Sequence, residues 1–401
     1  GERARALKVA LIAGEPSGDR LGAAAMAGLR ALRPEASFVG IGGPAMAAEG
    51  LVSLFPLEDL SVMGLAEVVP RLPLLLRRGR EATAMVLRES PDVLVTVDAP
   101  DFSLRVARRA KAARPSLPVV HYVAPSVWAW RPGRARRLRG VADLVLALLP
   151  FEPPLLEAAG VPCVFVGHPV AAEPLATEAE AAAFRASLGG EGPVVLALPG
   201  SRRGEVGRLA GRFGAALGIV AARHPGLRVV LPMAAPVAGM VREAVASWPL
   251  APRLLDPAED RDGALKRAAF RAADAGLAAS GTVSLELAAS GTPMVIGYDM
   301  SPLTWAIARR VVRLDTVTLV NLVSGTRAVP ELLGPACTAP ALAEALLRTL
   351  AAPGAQQEAM RLTMERLGRG GEPPGLRAAR AILQAAERIQ PPPRTREPSG
   401  A

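Results

Sequence analysis

The sequence predicts an α/β chain folded as two doubly wound, Rossmann-like domains facing a cleft. Three observations predict it. Short runs that are apolar throughout alternate with helical patterns, as in parallel sheets covered by helices on both faces. The alternation starts afresh after a Pro-rich stretch before the middle of the chain. And 401 residues, 50% of them hydrophobic, exceed one ordinary core.

The elements follow in order. KVALIAG (8–14) reads as a buried strand and GDRLGAAAMAGLRAL (18–32) as a helix. SFVGIGG (37–43) is a second strand and PAMAAEG (44–50) a short helix. PDVLVTVDAPD (91–101) is a third strand, followed by the helix FSLRVARRAKAA (102–113). LPVVHYVAPS (117–126), ADLVLALLP (142–150) and CVFVG (163–167) complete the first series, and a linker follows. Strands PVVLALPGS, RVVLPMA, RLLDPA, AGLAASG and PMVIGYD form the second, with helices at 207–224 and 281–291 between them. The expected division is 1–170, 171–345, a helical segment 346–390 returning to the first domain or to a partner subunit, and a disordered, Pro-rich tail 391–401.

Composition bounds the partners. The net charge is +10 and the pI about 10.8, which favours anionic ligands or lipid. Lys8, Lys111 and Lys266 are the only lysines, so the arginine excess also fits GC-rich coding. A nucleic-acid partner is not expected, because 3% aromatic residues cannot furnish a stacking surface. Cys163 and Cys337 form no disulfide framework and suit a reducing compartment. No leader is expected, since GERARA runs straight into a strand, and no run of about 18 apolar residues suggests a spanning helix.

Ligands in such sheets bind beyond the carboxyl ends of the strands, so the strand-exit loops carry the functional expectations. AGEPSGD (13–19) offers Glu15, Ser17, Gly18 and Asp19. Its glycines permit a tight turn, and Ser17 or Asp19 can cap the next helix. The spacing is neither a dinucleotide fingerprint, a P-loop nor a nucleophile elbow. DAPDF (98–102) ends the third strand with two carboxylates. Asp98 is the better general base and Asp101 the better helix cap, though either could serve as base. LPGSR (198–202) places Ser201 and Arg202, or Arg203, at a helix N-terminus that can receive an anion. Ser280, Gly281 and Thr282 open another helix, with Glu286 one turn beyond Thr282 on the same face. Hydroxyls for phosphate and a carboxylate for a ribose diol suit a nucleoside diphosphate. The histidines do not cluster, and no metal site is expected.

Two stretches stand out. HYVAPSVWAWRPGRARRLRG (121–140) holds His121, Ser126, Trp128 and Trp130, followed by five arginines. Two tryptophans one residue apart point the same way on extended backbone, as the wall of a sugar or acyl site would. The arginines, with Arg134 and Arg137 on one helix face, suit phosphate or plain solvation. Residues 60–80 hold Val62, Met63, Leu65, Val68, Val69, Leu72, Leu75 and Leu76 between arginines. That pattern fits an amphipathic helix on anionic lipid or against acyl chains, or else a helix buried all round. Pro70 and Pro73 argue against one long regular helix.

These loops together resemble the lipid-A-disaccharide synthases, inverting glycosyltransferases of family 19 with the GT-B fold. The likeness rests on AGEPSGD, GIGGPAM, VMGLAEVVP, DAPDF, HYVAPSVWAWR, LLPFEP, FVGHPV, LPGSR, SGTVSLE and NLVSG, in that order over residues 7–335. The resemblance implies transfer of a diacylglucosamine unit from a UDP-diacylglucosamine donor to diacylglucosamine 1-phosphate (lipid X), with no cofactor. It implies Asp98 as base, Arg202 near the diphosphate, Glu286 facing the ribose, and Glu15 and Asn321 as polar active-site residues. Where the family has Pro before that Asn, this chain has Val320. It also implies a cytoplasmic enzyme held peripherally on the inner membrane, and a homodimer with exchanged C-terminal segments. Another UDP-sugar enzyme of this fold, an N-acetylglucosaminyltransferase or an epimerase, would share the C-terminal loops but would not need residues 60–80.

Overall fold

The run Lys8–Ala13 forms strand β1 with all but its first residue buried, and Pro16–Leu32 follows as helix α1. The structure is a computed structural model that describes residues 6–60, 65–125, 133–311 and 315–389, with 65–67, 309–311 and 389 described by backbone alone. The first series continues through β2 (Ser37–Ile41), α2 (Pro44–Ala48), α3 (Leu65–Glu89), β3 (Val93–Val97) and α4 (Pro100–Ala113). It ends with β4 (Val119–Tyr122), α5 (Gly133–Arg136), β5 (Leu144–Ala147), α6 (Glu152–Ala158) and β6 (Cys163–Phe165). These strands make a parallel sheet in the order β2-β1-β3-β4-β5-β6.

The second series runs α7 (Glu178–Ser187), β7 (Val194–Leu198), α8 (Arg203–Arg223), β8 (Arg228–Pro232), α9 (Ala238–Val245) and β9 (Arg253–Leu255). Then come α10 (Ala264–Ala272), β10 (Ala275–Ala279), α11 (Val283–Ala289), β11 (Met294–Tyr298), α12 (Pro302–Val311), α13 (Leu319–Ser324) and β12 (Glu331–Leu333). Its parallel sheet has the order β12-β11-β10-β7-β8-β9. Strand β12 was not expected: three half-buried residues at a sheet edge carry almost no periodic signal.

Helices α14 (Ala339–Ala351), α15 (Gln357–Arg366) and α16 (Pro374–Ile389) close the chain. The molecule divides into two compact units, one of residues up to Pro169 and from Gly370 onward, the other of Val170–Arg369. Only α16 therefore leaves the second unit; α14 and α15 stay in it. Ala378, Ala379 and Ile382 of α16 are fully buried in the first unit's core with Ala25, Met26 and Leu29 of α1. The two helices meet at glycines. A Cβ on Gly28 would stand 2.6 Å from the Gly375 carbonyl oxygen, so backbone contacts backbone there. The tail 391–401 lies outside the described residues.

Three local expectations need correction. Helix α3 continues through Pro70 and Pro73 to Glu89. Both lie beyond the first four residues, so each forgoes one N–H bond to the carbonyl four residues back, a local loss within a 25-residue helix that packs along α4. Neither Ser17 nor Asp19 caps α1, because the helix starts at Pro16 and Glu15 holds the N-cap position. Likewise Asp101 lies inside the first turn of α4, whose N-cap is Ala99.

Candidate active site

Strand order reverses between β1 and β3 in the first sheet and between β7 and β10 in the second. At such switch points the two flanking connections run to opposite faces and leave a crevice at the strands' carboxyl ends. The exits of β1 and β3 carry Glu15, with Ser17 in the first turn of α1, and Asp98. Those of β7 and β10 carry Ser201, Arg202, Ser280, Gly281 and Thr282. These residues thus lie at the switch point of each sheet.

In the first unit, Ala13 pairs with Val97, so Gly14 and Asp98 leave the sheet side by side. Glu15 and Ser17 are exposed there, while Gly18 is buried against the end of β3. Asp98 and Ala99 both adopt left-handed backbone, with φ of 51° and 41°. Two successive non-glycine residues in that region are costly and mark a strand exit held by its surroundings. The hold is visible: the Asp98 amide donates to the Tyr122 carbonyl at 2.9 Å. The Asp98 side chain is partly buried, and burial raises its carboxyl above the usual value despite a hydrogen bond from the Ala99 amide. Asp101 is exposed.

Two expected ligand-facing residues point inward instead. Asp19 is 4% exposed and accepts from the amides of Gly43 (2.8 Å), Ala45 (2.9 Å) and Met46 (3.0 Å). It caps α2 and ties GIGGPAM to AGEPSGD. His121 is buried within β4, with Nδ1 2.7 Å from the Thr96 hydroxyl. Burial pushes its pKa down to about 4, so the ring is neutral near pH 7. Ser126, Trp128 and Trp130 lie outside the described residues. Helix α5 ends at Arg136, so Arg134 and Arg137 do not share a helix face, and the Arg139 guanidinium donates to the Ala159 carbonyl.

In the second unit, Ala278 pairs with Leu198, which brings the exits of β7 and β10 together. Ser201, Arg202 and Arg203 are exposed at the start of α8, a 21-residue helix with no side-chain cap. Its free amides and positive dipole end suit an anion. Gly281 and Thr282 are exposed beside them in the sheet's other exit. Glu286 is half-buried and pairs with Lys266 of α10 at 3.1 Å. Asn321 is 1% exposed, and its amide is fully occupied: Nδ2 donates to the Val329 carbonyl (3.0 Å) and Glu331 (3.2 Å), and Oδ1 accepts from the Val329 amide (3.0 Å). It therefore braces its own loop. Val320 is the second residue of α13, where an N–H has no helical partner, so a Pro there would forfeit no helical hydrogen bond.

Lys266, Glu331 and Thr96 are the participants that motif reading missed. Lysine is so rare here that Lys266 itself was a signal. Of the apolar residues in 60–80, Val62 and Met63 lie outside the described residues, and Leu65 is described by backbone alone. Val69 and Leu72 are exposed, at 70% and 43%, whereas Val68, Leu75 and Leu76 are half-buried. The helix is not buried all round.

The two sheets with their switch points define a class of fold, the paired Rossmann-like architecture of GT-B proteins. The chain superposes on the UDP-GlcNAc 2-epimerase of Neisseria meningitidis with a TM-score of 0.63 at 13% identity, covering 95% of this chain and 100% of that one. It superposes on the calicheamicin glycosyltransferase CalG4 with a TM-score of 0.54 at 18% identity, covering 97% and 100%. The family model described as lipid-A-disaccharide synthetase matches residues 9–379. The lipid-A-disaccharide synthase of Ruegeria pomeroyi is 61% identical over 94% of this chain and 95% of its own length. That of Rhodospirillum centenum is 50% identical over 94% of each. The chain belongs to the lipid-A-disaccharide synthase family, glycosyltransferases of lipid A synthesis that use a nucleotide-sugar donor.

Proposed function

We propose that this chain transfers a 2,3-diacylglucosamine unit from UDP to the 6-hydroxyl of 2,3-diacylglucosamine 1-phosphate, inverting the anomeric carbon and releasing UDP. Asp98 is the general base. It takes the hydroxyl proton as the oxygen attacks, while the bond from the anomeric carbon to UDP breaks and its electron pair leaves with the diphosphate. A single displacement needs one such base. The observation that carries this reading is the strained, partly buried strand exit at Asp98, whose raised pKa makes it a better proton acceptor than an exposed carboxylate.

Arg202 and the open start of α8 receive the diphosphate and its developing charge. Ser201, Ser280, Gly281 and Thr282 cradle the phosphates, and Glu286 takes the ribose hydroxyls. Glu15, Ser17 and Gly18 border the acceptor. Asp19, His121 and Asn321 act by positioning loops. The exposed Val69 and Leu72 of α3, flanked by Arg71 and Arg77, support peripheral attachment to the cytoplasmic face of the inner membrane. No helix among the described residues is long and apolar enough to cross a membrane. Family resemblance further suggests a homodimer, for which α16 is the segment to exchange.

The test is to supply UDP-2,3-diacylglucosamine with 2,3-diacylglucosamine 1-phosphate and follow both UDP and an acylated disaccharide phosphate. Turnover of non-acylated UDP-sugars with none of this pair would defeat the proposal.

A further inference from the structure

The second unit carries a cleft of about 360 Å³ that the proposed reaction does not use. It lies where helices end. Arg271 stands in the last turn of α10 and Ala289 closes α11, and strands β10 and β11 begin just beyond them at Ala275 and Met294. The cleft therefore sits at the amino ends of these strands. Ser201, Arg202 and Thr282 follow the carboxyl ends of β7 and β10, on the opposite side of the same parallel sheet.

Charge says what the cleft takes. Arg271, Arg361 and Arg369 line it, and no carboxylate among the described residues does. Two of the three are balanced from outside. Arg361 pairs with Glu358 and Glu365 of its own helix, each at 2.7 Å, and Arg271 stands 3.5 Å from Glu178. Arg369 has no such carboxylate among the described residues. Its Nη2 donates to the Ala289 carbonyl at 2.8 Å, which covers the negative end of α11 and leaves the positive charge without a counter-ion. Burial pushes this guanidinium below its usual value, as for any cation drawn out of water with no anion beside it. The remaining wall suits a small organic molecule. Ser290 and Gln357 offer polar groups, and Leu175, 45% exposed, offers an apolar one.

We propose that this cleft binds a small molecule bearing a phosphate or carboxylate group, held by Arg369 and Arg271, at a site separate from that of the donor. A guanidinium fork matches either oxyanion with paired hydrogen bonds. The volume fits a metabolite and is too small for a folded partner. The position has a consequence. Arg369 is the last residue of the second unit, and Leu175 and Ala176 lie shortly after its first, Val170. Arg271 already holds the Ala176 carbonyl. An oxyanion shared by Arg271 and Arg369 thus ties together the segments by which the chain enters and leaves this unit.

The experiment is thermal unfolding of the full chain against rising inorganic phosphate or acetate, at an ionic strength held constant with chloride, with and without saturating UDP. At least one probe should raise the midpoint saturably, with UDP present as well as absent. Arg369→Gln and Arg271→Gln should each raise the half-saturating concentration by about ten- to a hundredfold. Ser290→Asp keeps all three arginines and supplies the missing negative charge. It should raise the midpoint of the unliganded chain and abolish the response to the probe. Hydrogen exchange should slow on probe addition in segments 170–177 and 366–372. The donor KM, measured without probe, should be the same in all three variants as in the unmodified chain.

A response to phosphate alone assigns a phosphorylated ligand, and one to acetate alone a carboxylate; either supports the site. No response to either probe beyond chloride overturns the inference. A response that vanishes with UDP also overturns it, and places the oxyanion in the donor loops. So does a response that persists in Ser290→Asp, which decides the matter alone if the arginine variants do not fold. Failure of the acyl-transfer assay leaves every one of these midpoint readings in place, since none of them uses the acylated substrates.

Discussion

Gly14 and Ala99 touch across the first switch point: a methyl group on Gly14 would stand 2.5 Å from the Ala99 Cβ. Both atoms would be fixed directly to backbone, so neither could swing aside. The contact sets the exit of β1 against the exit of β3, and Asp98 is the residue immediately before Ala99. Gly14→Ala should therefore act on catalysis as well as stability. We expect a loss of about 1–3 kcal/mol in unfolding free energy and a fall in kcat of about a hundredfold from displacement of the base. Ala99→Gly in the same chain removes the clash and relieves a left-handed alanine, and should restore most of both. A double variant no better than Gly14→Ala would mean the two exits are not coupled.

Asp98→Asn keeps the shape of the side chain and removes its basicity. Turnover should drop by about 10²–10⁴, with UDP affinity, measured by calorimetry, unchanged. The pH profile gives a second reading. Because burial raises the Asp98 pKa, the acid limb of kcat/KM should lie above that of an ordinary carboxylate: activity is full when Asp98 is ionised and declines as it protonates. If Asp101→Asn instead abolishes turnover and Asp98→Asn does not, the base has been assigned to the wrong carboxylate.

Much of this arrangement was legible because β1, β3, β7 and β10 are mainly apolar runs, and each ends in a turn with small or charged residues. What periodicity could not show was the direction of individual side chains. Asp19 and Asn321 sit in motifs beside Glu15 and Ser324, yet their polar atoms are spent on backbone amides and carbonyls. A polar residue that braces a loop and one that meets a ligand look the same in sequence. The prolines of α3 misled for a different reason, since each removes only one hydrogen bond from a long helix whose packing against α4 is not visible in the local sequence. Composition held one clue that motif reading passed over. All three lysines pair with carboxylates: Lys8 with Glu89, Lys111 with Asp143 and Lys266 with Glu286.

The Lys266–Glu286 pair separates binding from stability. Both side chains are more than a third exposed, so the pair contributes little to folding, about 0–1 kcal/mol. Hydrogen bonds from a ribose diol to a carboxylate are worth more, about 1.5–3 kcal/mol. Glu286→Gln should thus leave the thermal midpoint nearly unmoved and raise the donor KM by about ten- to a hundredfold, with kcat less affected. An unchanged KM would remove Glu286 from the donor site and leave it only as the partner of Lys266.

Glu152, which opens α6 just after β5, gives a prediction in pH. It is 4% exposed, accepts from the Leu149 amide at 3.0 Å, and burial pushes its pKa up to about 8. A carboxyl with a folded pKa above its unfolded one binds its proton more tightly when folded. Its contribution is therefore complete below about pH 4.5 and is lost as pH rises through 8, by up to a few kcal/mol. His121 and His168 act in the opposite sense. Burial pushes both down to about 4, so their contribution is complete above the ordinary value of 6.5 and is lost as pH falls towards 4. Stability of the unmodified chain, from urea unfolding, should peak near pH 6.5 and decline towards pH 8. Glu152→Gln keeps an acceptor for the Leu149 amide and removes the titration, so its stability should stay level over that interval. The difference between the two chains isolates Glu152 from every other group. A difference that does not grow between pH 6.5 and 8 would show that Glu152 is already ionised in the folded protein.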